Sequence, residues 1–184
     1  LAAPRRRWAA EILHFWFQTL GPADWFGGGE HVDIALKRRF SRELAMLWPR
    51  PAHEFLADRQ TALAAILLFD QVPRNLHRGT RHAFTFDPLA RTITRGALMR
   101  GWDRGMGLHQ RQFLAMPLMH SEHIGDQIWS LRYYTDLGNA TIRRFAVDHY
   151  RMIARFGRFP HRNEMLGRES SPAELRAIAA GNHW

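Results

Sequence analysis

Ala140-Thr141-Ile142-Arg143-Arg144-Phe145-Ala146-Val147-Asp148-His149-Tyr150-Arg151-Met152-Ile153-Ala154-Arg155-Phe156 decides the fold class. Ile142, Phe145, Met152 and Phe156 recur at three- and four-residue steps with His149 in the same seam, which is the period of one helix face. Gly138-Asn139 before this stretch and Gly157 after it are residue types that open and close helices. The same spacing returns along the rest of the chain and strand-like alternation is scarce. The expected class is therefore all-α: one antiparallel helical array forming a single domain over residues 1–184. Helices are expected at about residues 7–20, 31–47, 58–71, 88–101, 108–119, 121–137, 140–156 and 172–180. Asp87-Pro88 reads as an N-cap followed by proline, and Ser171-Pro172-Ala173-Glu174 as a capping box. Thr80 to Phe86, where Phe84 and Phe86 alternate, looks extended.

Composition narrows the function classes. With 184 residues and 46% hydrophobic content the chain can enclose a core, so it is not a disordered segment. Its longest apolar run, Ala62–Phe69, falls far short of the roughly 20 residues of a membrane span. Without cysteine there are no disulfides, thiolate metal sites or cysteine nucleophiles. Residues 1–6, leading into Arg7 through Pro4-Arg5-Arg6, read as a flexible basic tail and not as a secretory signal. The cytoplasm is the expected compartment, with an organellar matrix left open.

Charge is the unusual bulk property: 26 Lys and Arg stand against 17 Asp and Glu, for a formal net charge of +9. Only Lys37 is a lysine, and arginine is the cation suited to carboxylates, phosphates and partial burial. A basic surface also suits nucleic acid. However, no zinc-finger spacing, basic helix stripe or aromatic-basic strand motif is present, so nucleic acid is not the expected partner.

Three segments carry more polar chemistry than helix packing requires. In the first, Asp70-Gln71-Val72-Pro73-Arg74-Asn75-Leu76-His77-Arg78-Gly79-Thr80, Asp70 continues the apolar face of Leu63, Ile66 and Leu67. A carboxylate there needs a partner, with Arg74 and Arg78 nearest, and Pro73 is expected to put Arg74 and Asn75 in a turn. In the second, Phe113, Met116, His120, Ile124, Gln127 and Leu131 keep helical steps, so His120 and Gln127 face inward if the register survives Pro117. His120 and His123 with Glu122 and Asp126 nearby could be read as metal ligands. Glu122 points away from both histidines on a regular helix, and no metal or other cofactor is expected. The third runs from Phe156 to Ser171 and holds Arg158, His161, Arg162, Asn163 and Arg168.

At these segments the chain resembles the bacterial family known as domain of unknown function 924, grouped by fold with the tetratricopeptide-like helical proteins. The resemblance runs from Ile12-Leu13-His14-Phe15-Trp16-Phe17 and Trp25-Phe26 to the end of the chain. It is most specific at Leu68–Asn75 with Arg78-Gly79-Thr80, at Pro117 with His120-Ser121-Glu122 and Asp126-Gln127, and at Phe156–Ser171. Phe69, Val72 and Ser171 stand where the family has Leu, Phe and Thr. The resemblance implies an antiparallel helical array and brings no activity with it.

Three readings of the segments follow. In one, Asp70, Glu122 and Asp126 pair with Arg74, Arg78, Arg158, Arg162 and Arg168 while Asn75 and Asn163 cap helices, so the network only braces the fold or a protein-interaction surface. In the second, these residues with His120, Gln127 and His161 line a pocket, and five arginines against three carboxylates leave positive charge for a small phosphate- or carboxylate-type ligand. In the third, His120, His149 or His161 is an acid or base of an enzyme whose reaction no motif identifies. Binding at one side of the array requires the three segments to meet. The tryptophans, among them Trp16, Trp25, Trp48, Trp102 and Trp129, are expected in core and rim packing.

Overall fold

The structure, a computed structural model, describes residues 3–182. Among these there is no strand, and the protein is all-α. The helices are α1 Ala3–His14, α2 Pro22–Gly27, α3 Glu30–Leu47, α4 Arg59–Ile66, α5 Val72–Leu76, α6 Asp87–Met99, α7 Leu108–Met119, α8 Ile124–Asp136, α9 Ala140–Phe156 and α10 Pro172–Ala179. Their packing divides into two compact units. One comprises the described residues up to Arg78 with His82–Leu114, and the other Gly79–Arg81 with those from Ala115 on.

In the first unit α1 and α6 pack on α4, and α3 packs on α5. Burial is deepest along Leu63, Ile66, Leu67, Leu68 and Phe69, none more than 2% exposed, which makes this stretch the axis of the unit. Asp58 caps α4 by accepting the Gln60 and Thr61 N–H groups at 3.0 and 2.9 Å. Phe113 gathers an aromatic cluster with Trp16 edge-on at 5.4 Å, Trp25 at 5.2 Å and Phe26 stacked at 6.1 Å.

Proline 73 does not end the helix. Leu67–Gln71 widens into a π turn and the chain continues as α5 with Pro73 in its first turn. The wider turn moves the preceding carbonyls clear of the proline ring, which would clash with them in a regular helix. Side chains then take over the carbonyls: Arg74 Nη1 donates to Asp70 O at 2.6 Å and Asn75 Nδ2 to Gln71 O at 2.9 Å. Arg74 and Asn75 are therefore helical, not in the expected turn. A second π turn, Phe15–Thr19, extends α1, with Leu20 N–H bonded to Phe15 O at 3.0 Å.

α1 begins at Ala3, so Pro4–Arg6 lie within it, Pro4 being tolerated in a first helical turn, while residues 1 and 2 of the expected tail lie outside the described residues. Thr80–Phe86 contains a 3-10 turn, Arg81–Phe84, in place of an extended stretch.

In the second unit α8 and α9 form a helical hairpin, and Asn139 caps α9 by accepting Ile142 N–H at 3.0 Å. The buried face of α9 is Ile142, Ala146, His149, Met152 and Ile153, so Phe145 falls just outside the seam and is 40% exposed. Gly157 closes α9 with φ 70°, a left-handed conformation that glycine adopts without strain. Met152, Ile153, Phe159 and Ala177 then form a core between α9, the following loop and α10. The capping box at Ser171 and Glu174 starts α10.

Candidate functional site

The first segment is committed to protein partners. Asp70 is fully buried, and Arg74 reaches its carboxylate at 3.3 Å while making a two-bond fork to Asp87 at 2.8 and 2.9 Å. Burial alone would weaken the Arg74 charge, but Asp70 and Asp87 more than offset it and hold its pKa above the usual arginine value. Asp87 is thus not the N-cap expected of it: Phe86 holds that position, and Asp87, the first residue of α6, spends its carboxylate on Arg74. Arg78, largely exposed, pairs with Asp33 at 3.0 Å and Asn75 at 3.2 Å. Asn75 caps no helix start, since its amide serves the π turn.

The second and third segments meet inside the second unit. The helical register breaks after α7: Ser121 Oγ donates to Asp126 Oδ2 at 2.7 Å and accepts His123 N–H at 3.1 Å, and α8 begins only at Ile124. Gln127 is nonetheless fully buried, while His120 is only partly so. Gln127 Nε2 donates to Met119 O and Ser121 O, each at 2.7 Å, satisfying carbonyls that the end of α7 leaves open. We expect Gln127→Ala to lower the unfolding free energy by about 2–4 kcal/mol, combining two stranded carbonyls with a small cavity. Urea unfolding measures it, and a loss under about 1 kcal/mol would remove Gln127 from the structural role.

Glu122 turns to the third segment. It accepts both ends of the Arg168 fork at 2.8 and 2.9 Å and Phe159 N–H at 2.7 Å. Burial pushes its pKa up, but the Arg168 hydrogen bonds and the Phe159 amide prevail and hold it below the ordinary carboxylate value. Arg168 Nε also donates to Asn163 Oδ1 at 2.9 Å, and Asn163 Nδ2 donates to Ser170 Oγ at 2.9 Å. Asn163 is therefore a loop brace and not the helix cap expected for it. Arg158 forks onto Glu174 at 2.7 and 3.0 Å, and with the Ser171 amide it draws the Glu174 pKa down to about 2.

Around Phe159 stand a group of rings and the Arg162 guanidinium, whose charge also helps to hold the Glu122 pKa down. Arg162, 6% exposed, holds its guanidinium carbon 4.5 Å above the Phe159 ring. The His149 ring lies 5.4 Å and the His161 ring 5.7 Å from Phe159, and His120 lies 6.2 Å from His149. His149 is 5% exposed, and its Nδ1 shares a 2.8 Å hydrogen bond with Phe145 O. Burial first, then neighbouring His120, lower its pKa to about 3, so the ring is neutral at pH 7 with Nδ1 as donor and Nε2 as acceptor. Such a group is a weak proton acceptor, which argues against His149 as the base of an enzyme.

The charge count expected from sequence changes accordingly. Asp33, Asp87 and Glu174, none counted among the inward carboxylates, take up Arg78, Arg74 and Arg158. Asp87 and Glu174 were visible as helix-start residues, but nothing in their local spacing reveals partners 13 and 16 residues away.

Comparison with known proteins agrees with this architecture. None of the curated proteins matches the chain. A solved structure of a protein of unknown function, ATU0120 from Agrobacterium tumefaciens, is 35% identical, covers 94% of this chain and 97% of its own, and superposes with a TM-score of 0.88. The model of the family described as bacterial protein of unknown function (DUF924) matches residues 12–182. Every polar segment described above falls within that match, and the chain belongs to the DUF924 family.

Proposed function

We propose that the protein binds a small anionic ligand, of phosphate or carboxylate type, on the His120, His149, His161 and Arg162 cluster. The observation that carries this reading is the gathering of two imidazoles, His149 at 5.4 Å and His161 at 5.7 Å, and the Arg162 guanidinium around one ring, Phe159, with His120 in turn 6.2 Å from His149. Burial is the first cause of the low His149 pKa, and His120, Arg162 and His161 add to it by opposing a positive charge there, an opposition that a bound anion offsets. The His149 Nδ1–H is spent on Phe145 O, so hydrogen bonds to an anion fall to the Arg162 guanidinium and the other two imidazoles. The Glu122, Asn163 and Arg168 network fixes the loop that carries His161 and Arg162.

Thermal melts with phosphate, sulfate and acetate at matched ionic strength test the reading. The parent should be stabilised saturably, by about 2.7 kcal/mol at a hundredfold excess over Kd, and Arg162→Met should lose that increment. A parent indifferent to all three anions would end it.

A second reading, that the arginines only brace the fold, is favoured by the commitment of Arg74, Arg158 and Arg168 to protein carboxylates. It predicts destabilised Arg162→Met with no anion effect in either protein.

A further inference from the structure

The first unit contains a concavity that none of the three polar segments lines. It is about 390 Å³, within the range of small-molecule sites. Leu13, Phe17, Leu63 and Met106 give it an apolar floor. The polar groups are Arg59, His14 and the carboxamides of Gln18, Gln60 and Gln110, and among the described residues no carboxylate lines it. Arg59 makes no ion pair or hydrogen bond with the described residues, which sets it apart from Arg74, Arg158 and Arg168. Gln110 Oε1 accepts Gly107 N–H at 3.2 Å, leaving its amino group as the available end. The wall is therefore rich in donors and carries a cation.

Backbone geometry supports the same site. The π turn Phe15–Thr19 brings consecutive residues Phe17 and Gln18 to the lining, and Trp25 Nε1 fixes the turn by donating to Trp16 O at 2.9 Å. Such turns cost helix regularity and recur where a protein shapes a binding site. On the opposite stretch Gly105 has φ 78°, and a Cβ there would stand 3.9 Å from Arg59 Nη1. Glycine meets the backbone requirement there, and the turn lies beside the guanidinium.

We propose that this cavity binds a small monocarboxylic acid with an apolar body, distinct from the ligand of the imidazole cluster. Arg59 takes the carboxylate as a forked pair, the glutamine amides supply further donors, and the hydrocarbon rests on Phe17, Leu63 and Met106. A dianion such as phosphate suits the site poorly, because it would leave the apolar floor uncovered and a second charge unmatched.

Calorimetric titration with benzoate, hexanoate and the neutral isostere benzamide tests the proposal. Benzoate or hexanoate should bind saturably to the full chain, with benzamide at least tenfold weaker than benzoate. Arg59→Gln, at an exposed position, should keep the melting temperature of the free protein and weaken the acids at least tenfold. Gln18→Trp, also exposed, should block the cavity and abolish binding. Arg162→Met should leave binding intact, which separates this site from the imidazole cluster. Failure of both acids to bind the parent, equal binding of benzamide and benzoate, or acid binding that survives Arg59→Gln would each overturn the proposal. Acid binding lost in Arg162→Met would overturn it too.

Discussion

Replacing Arg74 by methionine should lower the unfolding free energy by about 3–5 kcal/mol. Methionine keeps most of the aliphatic stem, so the loss isolates the guanidinium. Asp70 is fully buried and Asp87 partly so, and Arg74 faces both carboxylates, so removing it takes from each the guanidinium that offsets its charge, with Gln71 Nε2 still donating to Asp70. The Asp70 and Gln71 carbonyls belong to the π turn before Pro73, and the turn loses the Arg74 bond to Asp70 O. Adding Asp70→Asn to Arg74→Met should recover part of the loss, because a neutral amide is cheaper to bury than an unpaired carboxylate. Urea unfolding of parent, single and double variants measures both effects. A single-variant loss below about 1 kcal/mol would mean that other groups hold Asp70.

Local signals in the sequence were sufficient where a structural feature depends on neighbours within a few residues. The capping box at Ser171, the asparagine cap at Asn139 and the left-handed Gly157 are such features, and α9 falls where its spacing puts it. The short helix α2 and the π turns were not legible. A π turn differs from an α turn by one residue, and what stabilises it at Phe15–Thr19 is the Trp25 indole on a separate element. Pro73 misled for a related reason: the proline rule assumes regular α geometry, and the widened turn before it removes the clash.

The polar segments were legible as places and not as pairings. Glu122 with Arg168 spans 46 residues and Arg78 with Asp33 spans 45, so helical spacing carries no information about either contact. The convergence of His149 and His161 on Phe159, with His120 beside His149, likewise depends on how α9 and its loop fold back. Sequence identified the residue types that need partners, since buried polar groups must be satisfied, and packing chose the partners.

Acid should expose the cost of keeping His149 neutral. Its folded pKa, about 3, lies below the ordinary histidine value of 6.5, so between these values the unfolded chain takes up a proton that the folded protein refuses. Stability is then complete above pH 6.5 and falls as pH drops toward 3, by about 1.4 kcal/mol per pH unit from this residue. His77, also lowered by burial and by His82, adds in the same direction, whereas Glu122 and Glu174 contribute only below their ordinary value of 4.5. The window from pH 6.5 to 4.5 therefore isolates the histidines, and His149 should account for roughly 3 kcal/mol across it. His149→Asn retains a donor near Nδ1 but cannot titrate. It should be less stable at pH 7 through lost ring packing and should show a slope shallower than the parent by about one proton. Denaturant unfolding at half-unit pH steps gives both slopes, and the difference between them removes the His77 contribution. Identical slopes would mean that His149 charges in the folded protein as freely as in the unfolded chain. In that event His149 is more open to water than its 5% exposure implies, and neither burial nor the neighbouring His120 opposes its charge in the folded protein.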